Sequence, residues 1–269
     1  MKKIFIEKVK VYGYHGSYEY EKMLGQYFLV SLELTLKSGF FDPLDDLSCT
    51  VNYSEVCTKV VSLVKDSQFD LIESLTEKVA RTLLLTYPGL AGVKVMVEKP
   101  DAPLSVEFHT TGVTVNRAWH TVYLSLGSNL KDREKNILEA IERIGALTEC
   151  SVPRCSKIIE TAPWGVTDQP SFMNCAIEVQ TFLEPLELLK ALKGIEREMG
   201  RGDGAGWGPR IIDADILLYD RDVYASEELQ IPHPYMHERE FVLKPLAEIA
   251  PFAIHPVRNL QIRELLKNS

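Results

Sequence analysis

The segment from Arg201 to Asp215 carries the residue types with the clearest chemistry in the sequence. Glycines that disfavour a helix lead through an arginine-flanked loop to Asp213 and Asp215, which stand at the head of an apolar run. Because side chains alternate along a strand, both carboxylates should point to one face, about 6 to 7 Å apart. Mg²⁺ prefers one or two carboxylates plus substrate phosphates, and Arg201 and Arg210 could hold those phosphates. The segment predicts a magnesium–nucleotide site; the alternative is a solvated strand end beside a surface loop.

Composition limits the class of protein. With 269 residues, 45% of them apolar and 25% charged, the chain is long enough for two globular domains. A net charge of −8 argues against a nucleic-acid-binding protein, which needs a basic face. The N-terminus is too charged for a secretory signal, and no apolar run approaches the roughly 18 residues of a membrane span. The five cysteines include no Cys-x-x-Cys pair, so we expect reduced thiols, a cytoplasmic location and no membrane partner.

Hydrophobic periodicity predicts a first domain over residues 1–118. Alternation of β-branched and aromatic residues indicates strands, and helical spacing of apolar residues indicates helices. The predicted order is strand, strand, helix, helix, strand, strand, at Ile4–Tyr14, Tyr27–Leu36, a helix capped by Ser54, Leu71–Thr86, Gly92–Glu98 and Gly112–Arg117. A polar loop is expected between the first two strands.

The pattern restarts near Trp119 and predicts a second domain over residues 119–269. No Gly/Ser-rich or Pro-rich spacer separates the halves, so a linker of only a few residues is expected. The predicted elements are strand Thr121–Leu126, helix Arg133–Leu147, strands Ser156–Glu160 and Met173–Phe182, a helix from Pro185, a strand from Asp213 and a tail of strand and helix. This order indicates one sheet with flanking helices, so the chain as a whole is predicted to be an α+β protein of two domains.

Several motifs follow one another through the second domain. They are Leu126-Gly127-Ser128-Asn129-Leu130, Asp168-Gln169-Pro170-x-Phe172-Met173-Asn174, Trp207-Gly208-Pro209-Arg210-x-x-Asp213-x-Asp215-Ile216 and Ile231-Pro232-His233. In this order they resemble hydroxymethyl-dihydropterin pyrophosphokinase. The resemblance implies a ferredoxin-like α+β domain that transfers pyrophosphate from ATP to the hydroxymethyl group of a reduced pterin and releases AMP.

The same resemblance implies a role for each matching residue. Asp213 and Asp215 would bind Mg²⁺ that bridges the ATP phosphates. The residues that would bind ATP are Glu196, Arg201, Trp207, Arg210, His233 and Arg239, of which Arg201 and Arg210 would also act in catalysis. The flat pterin would stack between Phe172 and Phe241, while Thr161 and Asn174 would contact its polar edge.

Some positions depart from the pattern of that family. Asp203 and Gly206 stand where the family's mobile loop usually carries more arginines, so we expect weaker closure over ATP. Asp203→Arg is therefore expected to change ATP affinity or turnover. Phe172 replaces a common tyrosine, which keeps stacking but removes a hydroxyl, and Trp164 should make the floor of the pterin pocket bulkier.

A set of shorter motifs runs through the first domain. They are Tyr14-His15-Gly16, Glu21, Gly25-Gln26, Tyr53, Leu71-Ile72-Glu73 and Glu98-Lys99-Pro100. In this order they resemble dihydroneopterin aldolase. The resemblance implies a tunnelling fold (ββααββ) and retro-aldol cleavage of dihydroneopterin to hydroxymethyl-dihydropterin and glycolaldehyde, with no metal or other cofactor. Lys99 would be the acid/base group acting through water, with Tyr53 delivering protons and Glu21 positioning the network. Glu73 would grip the guanidine-like edge of the pterin, and the role of Ile72 beside it stays open.

Taken together, the two resemblances predict a bifunctional cytoplasmic enzyme of folate synthesis. Its partners would be pterin substrates and ATP, without nucleic acid or membrane, and it would form a homo-oligomer through the first domain with pterin sites between neighbouring subunits. The runner-up is a pyrophosphokinase whose first half only binds pterin and oligomerises. A third reading is a non-catalytic nucleotide-responsive regulator, which the intact Asp213 and Asp215 disfavour.

Overall fold

The computed structural model of the chain describes residues 2–40, 46, 49–163, 168–201 and 208–269. The chain divides into two compact units, Met1–Trp119 and His120–Ser269. Among the described residues, no helix combines the length and apolar character that crossing a membrane requires.

The first unit contains one antiparallel sheet with helices on it. Its elements are β1 (Lys3–Gly13), α1 (Glu19–Leu24), β2 (Gln26–Leu36), α2 (Tyr53–Lys65), α3 (Ile72–Thr86), β3 (Leu90–Lys99) and β4 (Thr111–Ala118). The sheet order is β1-β2-β3-β4. Alternate residues of β2 are buried, as the sequence predicts, and so are the apolar positions of α2 and α3 that recur at helical spacing. The ββααββ order is therefore confirmed.

Two local predictions for this unit were wrong. The expected polar loop between the first two strands contains the short helix α1, which begins where Glu21 Oε2 accepts a hydrogen bond from the Tyr18 N–H at 3.1 Å and ends at Gly25 with a φ of 69°. The cap of α2 is Asn52 instead of Ser54, because Asn52 Oδ1 accepts from the Ser54 N–H at 3.0 Å. In both places a side chain near the helix start decides where the helix begins.

The second unit is built on one antiparallel sheet with helices on both faces. Its first elements are β5 (His120–Ser128), α4 (Arg133–Gly145), β6 (Cys150–Cys155), β7 (Ile159–Thr161), β8 (Phe172–Thr181), α5 (Pro185–Glu198) and β9 (Asp213–Tyr219). The strand order is β6-β8-β5-β9, and β7 also pairs with β8. Setting β7 aside, the element order is βαββαβ, and the outer strands flank a central pair, as expected for a ferredoxin-like sheet.

The tail of the second unit is more elaborate than predicted. It consists of β10 (Tyr224–Ala225), β11 (Gln230–Ile231), α6 (Glu240–Ile249), β12 (Ile254–His255), β13 (Leu260–Gln261) and α7 (Ile262–Asn268). One apolar cluster joins the sheet to α4 and α5, and a second cluster joins its other face to α6 and α7. Alternation along β9 divides its side chains between these layers, with Ile216 in the first cluster and Leu217 in the second.

The predicted strand over Ser156–Glu160 was also wrong. β6 ends at Cys155, and β7 begins only at Ile159. A register irregularity in β6 lies between Ser151 and Arg154, and the Ser156 hydroxyl accepts a hydrogen bond from the Ala176 N–H at 2.9 Å. Because a side chain replaces a backbone acceptor at this point, the ladder with β8 is interrupted and two short strands form in place of one.

Candidate active sites

A cavity lies at the end of the sheet of the second unit. Strand alternation brings Asp213 and Asp215 of β9 to this cavity together with Leu217, while the intervening Ala214 is buried in the apolar cluster under α4 and α5. The predicted residues that line it are Thr161, Phe172, Asn174, Arg210, Asp213, Asp215, His233, Arg239 and Phe241. Residues from distant parts of the chain therefore form one site.

Asp213 is held by two guanidinium groups. Arg201 Nη1 lies 2.6 Å from its Oδ1, and Arg210 Nη1 lies 2.7 Å from its Oδ2. Burial would raise the pKa of Asp213, but the charges of Arg210 and Arg201 outweigh burial and lower that pKa. Asp213 is therefore ionised at neutral pH, with its charge compensated by both arginines.

Asp215 has the opposite electrostatic environment. Burial, and then the negative charge of Asp213, raise its pKa to about 7. His233 Nε2 lies 4.0 Å from Asp215 Oδ2, but burial and the charge of Arg239 lower the pKa of His233 to about 4, so this imidazole is neutral at pH 7 and offers little compensation. A cation placed between the two carboxylates would relieve their repulsion.

The donor set fits Mg²⁺ better than a metal held entirely by protein ligands. Among the described residues, no group of three or more His, Cys, Asp or Glu side chains is arranged to hold a metal ion. Mg²⁺ commonly uses one or two carboxylates and completes its octahedron with waters and substrate phosphates. Asp213 and Asp215 would supply those carboxylates, and a nucleotide would supply the phosphates.

Arginines and aromatic rings border the same cavity. The Arg210 guanidinium lies 6.0 Å from the ring centroid of Phe172, and that of Arg239 lies 5.7 Å from the ring of Phe241. Nε of Arg210 is buried without a hydrogen-bond partner in the described part of the chain, so this N–H is available to donate to a ligand. The cavity thus offers cationic groups next to flat apolar walls, which suits an anionic ligand beside an aromatic one.

One wall of the cavity is polar and tightly fitted. Asn174 Nδ2 donates to Thr161 Oγ1 at 2.7 Å across the paired strands β8 and β7. A Cβ atom at Gly127 would lie 3.0 Å from Asn174 Oδ1, so a larger side chain would push against this amide. The glycine of β5 therefore leaves room for the Asn174 carbonyl beside the cavity.

Glu196 and Arg201 lie behind the cavity lining. Glu196 is almost fully buried, and its Oε1 accepts from the Ala214 N–H at 2.8 Å and lies 2.7 Å from Arg201 Nη1. Lys193 Nζ lies 2.9 Å from Glu196 Oε2. The structure thus places Glu196 as a support for β9 and Arg201. Trp207, together with Asp203, Gly206 and Trp164, lies outside the described residues.

Asn129 lies in the motif Leu126–Leu130, but no role was predicted for it. The side chain of Asn129 is buried, its Oδ1 accepts from the Arg210 N–H at 2.7 Å, and its Nδ2 donates to Gln169 Oε1 at 3.2 Å. Ser125 and Gln169 also line the cavity without having been predicted. The spacing of the motif indicated the family, but spacing along the sequence does not predict that the Asn129 side chain contacts the backbone of Arg210.

The first unit contains a buried acid–base pair. Lys99 Nζ lies 2.5 Å from Glu21 Oε1, and the two side chains are 11% and 2% exposed. Burial would raise the pKa of Glu21, but hydrogen bonds from Lys99 and from the Tyr18 N–H outweigh burial and lower it. Glu21 is thus a fixed anion beside Lys99, which suits a positioning role.

Gln26 and Gly16, for which no role was predicted, help to fix the position of Glu21 in this pair. Gln26 Nε2 donates to Glu21 Oε1 at 3.1 Å. Gly16 has a φ of 149°, and a Cβ at this position would lie 2.4 Å from the Glu21 carboxyl group. Glycine is required at position 16 because both the backbone angle and the space exclude a side chain.

Tyr53 and Glu73 lie apart from the Glu21–Lys99 pair. Tyr53 is 62% exposed in the first turn of α2, and Glu73 is exposed in the first turn of α3, next to Ile72. No hydrogen bond or ion pair within the described ranges joins either of them to Lys99. A single chain therefore brings together Glu21 and Lys99 but leaves the other two predicted residues at its surface.

Each unit therefore holds a cluster of the kind that enzymes use, the buried Glu21–Lys99 pair in the first and the cavity lined by carboxylates, arginines and aromatic rings in the second. Residues 4–116 match the dihydroneopterin aldolase family model, and residues 123–251 match that of 7,8-dihydro-6-hydroxymethylpterin-pyrophosphokinase. The pyrophosphokinase of Aquifex aeolicus is 42% identical over 144 residues, which cover 54% of this chain and 89% of that protein. That of Bacillus subtilis is 46% identical over 127 residues, covering 47% and 76%. The chain belongs to the hydroxymethylpterin pyrophosphokinase family, and the part in front of that domain is similar to dihydroneopterin aldolase.

Two longer relatives match the chain across both of its units. The folic acid synthesis protein FOL1 of Dictyostelium discoideum is 32% identical over 297 residues, which cover 100% of this chain and 44% of that protein. The corresponding protein of Pneumocystis carinii is 35% identical over 276 residues, covering 96% and 37%. The chain therefore spans less than half the length of these relatives.

Proposed function

We propose that the chain is a bifunctional enzyme that performs two reactions of folate synthesis. The first unit cleaves dihydroneopterin to hydroxymethyl-dihydropterin and glycolaldehyde. The second unit transfers pyrophosphate from ATP to the hydroxymethyl group and releases AMP. The observation that carries the second assignment is the cavity in which Asp213, Asp215 and Arg210 stand beside Phe172 and Phe241.

In the second unit, the aromatic side chains orient the pterin and the cationic ones hold ATP. Phe172 and Phe241 stack on the bicyclic ring, and Thr161 and Asn174 contact its polar edge. When bound at the two aspartates, Mg²⁺ supplies positive charge that lowers the repulsion between the attacking hydroxyl oxygen and the phosphates. The hydroxyl oxygen attacks the β-phosphorus and gives up its proton to water, the bond from that phosphorus to the α,β-bridging oxygen breaks, and the electron pair leaves with AMP.

The remaining residues keep the phosphates in line for this attack. Arg201 and Arg210 bind the phosphates by charge-assisted hydrogen bonds, and Arg239 and His233 complete the contacts on the other side. Glu196 keeps Arg201 close to β9. Trp207 belongs to the ATP site by its place in the sequence motif.

In the first unit, the reduced pterin ring itself accepts the electron pair that is released by cleavage. A side-chain hydroxyl loses its proton, the adjacent carbon–carbon bond breaks, glycolaldehyde leaves, and the ring-linked carbon then regains a proton. Lys99 exchanges these protons through water, with Tyr53 as the second proton carrier. Glu21 holds Lys99 in place, and Glu73 binds the guanidine-like edge of the pterin.

We also propose that the first unit assembles into a homo-oligomer whose pterin sites include residues of two chains. Exposed aromatic and apolar side chains support this, and they are concentrated near β1, α1 and β2: Tyr12, Tyr14, Tyr18, Tyr20, Met23, Leu24 and Tyr27. Such a concentration of apolar surface is unusual for a monomer. Light scattering should give a mass that is a multiple of the chain mass; a monomer at micromolar concentration would contradict the proposal.

The five free cysteines support a reducing, cytoplasmic location, which cell fractionation tests.

One coupled assay tests both activities. Dihydroneopterin and Mg-ATP are supplied, and glycolaldehyde and AMP are followed separately. Both products should form, and AMP should appear after a lag because its pterin acceptor must first be made. Formation of AMP from added hydroxymethyl-dihydropterin, without glycolaldehyde from dihydroneopterin, would support the alternative in which the first unit only binds pterin.

A further inference from the structure

Asn129 joins two segments that both border the cavity of the second unit. It follows β5, and its residue is only 2% exposed. Its Oδ1 accepts a hydrogen bond from the Arg210 N–H at 2.7 Å, and its own backbone N–H donates to Arg210 O at 3.2 Å. Both the N–H and the carbonyl group of Arg210 are therefore hydrogen-bonded to Asn129.

The amino group of the same side chain reaches the other segment. Nδ2 of Asn129 donates to Gln169 Oε1 at 3.2 Å and to Pro170 O at 3.3 Å. Pro170 stands two residues before Phe172, whose ring borders the cavity. Asparagine carries a donor and an acceptor on one short side chain, so it can satisfy both segments at once, which neither aspartate nor alanine can do.

The two segments that Asn129 joins serve different ligands. Arg210 lies on the phosphate side, because its guanidinium contacts Asp213. Phe172 lies on the pterin side, only 6.0 Å from that guanidinium. Because Asn129 is hydrogen-bonded to both segments, a ligand that positions the segment of Arg210 will also affect the segment before Phe172, and the reverse holds as well.

We propose that Asn129 is a positioning residue through which the binding of Mg-ATP and the binding of the pterin strengthen each other. It contacts neither substrate and acts through Arg210 and the segment before Phe172. This inference rests on the proposed pyrophosphokinase function. Because coupling between two ligands is reciprocal, it is measured as the ratio of the affinity of one ligand with and without the other.

The experiment measures this ratio by calorimetry on the full chain. Mg²⁺ with α,β-methylene ATP serves as the nucleotide, because a methylene group replaces the oxygen that leaves in the reaction, and hydroxymethyl-dihydropterin serves as the pterin. Each dissociation constant is determined alone and in the presence of the other ligand. We expect each ligand to tighten the other in the native chain and this coupling to fall by at least about fivefold in Asn129→Ala, the lower end of the range for linked sites.

Two further variants separate coupling from general damage. Asn129→Asp keeps an acceptor for the Arg210 N–H but cannot donate to Pro170, so it should also lose the coupling, and it replaces Asn129→Ala if that variant does not fold. Asn136→Ala is the matched control, because Asn136 Nδ2 holds the same loop through Ser128 Oγ at 3.0 Å and Leu130 O at 2.9 Å without touching either segment. It should leave the coupling ratio within about twofold of the native one.

The possible outcomes are distinct. Affinities that weaken in Asn129→Ala with an unchanged coupling ratio would make Asn129 a purely structural residue and overturn the inference, as would a native chain in which the ligands bind independently. Loss of coupling in Asn136→Ala as well would also overturn it, because the effect would then belong to the loop as a whole. Formation of AMP by the native chain tests the proposed function separately.

Discussion

Arg201 and Asp213 form an ion pair of 2.6 Å that covers one of the two carboxylate oxygens which a metal ion would use. Arg210 covers the other oxygen at 2.7 Å. Without a nucleotide, the positive charge that neutralises Asp213 therefore comes from the two guanidinium groups. In the proposed reaction, Mg²⁺ bound with ATP would compete with these contacts, and the released guanidinium groups would then be available to the phosphates.

Removing one guanidinium should therefore have opposite effects on metal and nucleotide. In Arg201→Gln, Glu196 and Asp213 lose a shared positive charge, so a divalent ion alone should bind about tenfold more tightly, equivalent to about 1.4 kcal/mol. The same variant should lower kcat/KM for ATP by about a hundredfold, because a phosphate contact is lost. Titration with Mn²⁺ followed by electron paramagnetic resonance measures the first effect, and AMP formation measures the second.

Arg197→Gln is the matched control for this experiment. Arg197 lies in the last turn of α5, four residues before Arg201, but its side chain is exposed and its Nε donates to the backbone carbonyl of Lys193 at 3.2 Å. Its replacement should change neither Mn²⁺ affinity nor AMP formation noticeably. If Mn²⁺ affinity in Arg201→Gln equals that of the native chain, the arginine and the metal do not compete for Asp213.

Asp215→Ala should separate the two activities. Asp215 is the carboxylate of the pair whose pKa is raised to about 7 by burial and by the charge of Asp213, and its loss would leave Asp213 alone to hold a metal ion. AMP formation should fall below detection, while glycolaldehyde release from dihydroneopterin continues at the native rate. Loss of both products would mean that the variant is unfolded or that the two sites depend on each other; circular dichroism distinguishes these cases.

Strand periodicity was enough to predict that the two carboxylates of β9 face the same side. Asp213 and Asp215 alternate with apolar residues at the start of β9, and in the structure both line the cavity while Ala214 and Ile216 are buried on the other side. This prediction succeeded because it depends only on the two-residue repeat of a strand. The same is true of the buried face of β2 and of the helical spacing in α5.

Contacts between distant segments could not be predicted in this way. The sequence gives no sign that Asn129 meets the backbone of Arg210, or that Arg201 pairs with Asp213 in place of a phosphate. The helix α1 was missed because it has only six residues and depends on the carboxylate of Glu21 and its neighbours instead of an apolar stripe. Each of these features is decided by tertiary geometry, which local propensity does not contain.

Glu21 should make the stability of the first unit depend on pH. Its folded pKa is lowered from its ordinary value of 4.5, because the hydrogen bonds from Lys99 and the Tyr18 N–H outweigh the effect of burial. Its stabilising contribution is therefore present above about pH 4.5 and is lost as the pH falls through the folded pKa. In Glu21→Gln, the free energy of unfolding at pH 7 should fall by about 3 kcal/mol, since Lys99 is left buried without a counter-ion.

Urea unfolding followed by circular dichroism measures this effect, because each titration between pH 3 and pH 7 gives the free energy of unfolding at that pH. The difference between native and variant should shrink towards low pH. Glu19→Gln is the control, because Glu19 lies on the same helix with a side chain that is 84% exposed, and should change stability by less than about 0.5 kcal/mol. A difference between native and Glu21→Gln that stays constant across the whole pH range would refute a charged Glu21 in the folded state.

The exposure of Tyr53 predicts that chains can complement one another. Among the described residues no hydrogen bond joins Lys99 to the exposed Tyr53, so a site between neighbouring subunits would take Lys99 from one chain and Tyr53 from the next. Lys99→Ala and Tyr53→Phe should each lack aldolase activity alone. After co-refolding of equal amounts, about a quarter of the sites should regain both residues if the chains assort at random in a closed ring.

A mixture of Lys99→Ala with Glu21→Gln provides the contrast. Glu21 and Lys99 are paired within one chain at 2.5 Å, so neither of these variants can supply the intact pair to a neighbour. This mixture should release no more glycolaldehyde than its components do separately, whereas the mixture with Tyr53→Phe should release clearly more. Mass spectrometry under native conditions confirms that mixed oligomers form. If neither mixture releases more glycolaldehyde than its components, Lys99 and Tyr53 do not form one site between two chains. The proposed proton relay between subunits would then be refuted.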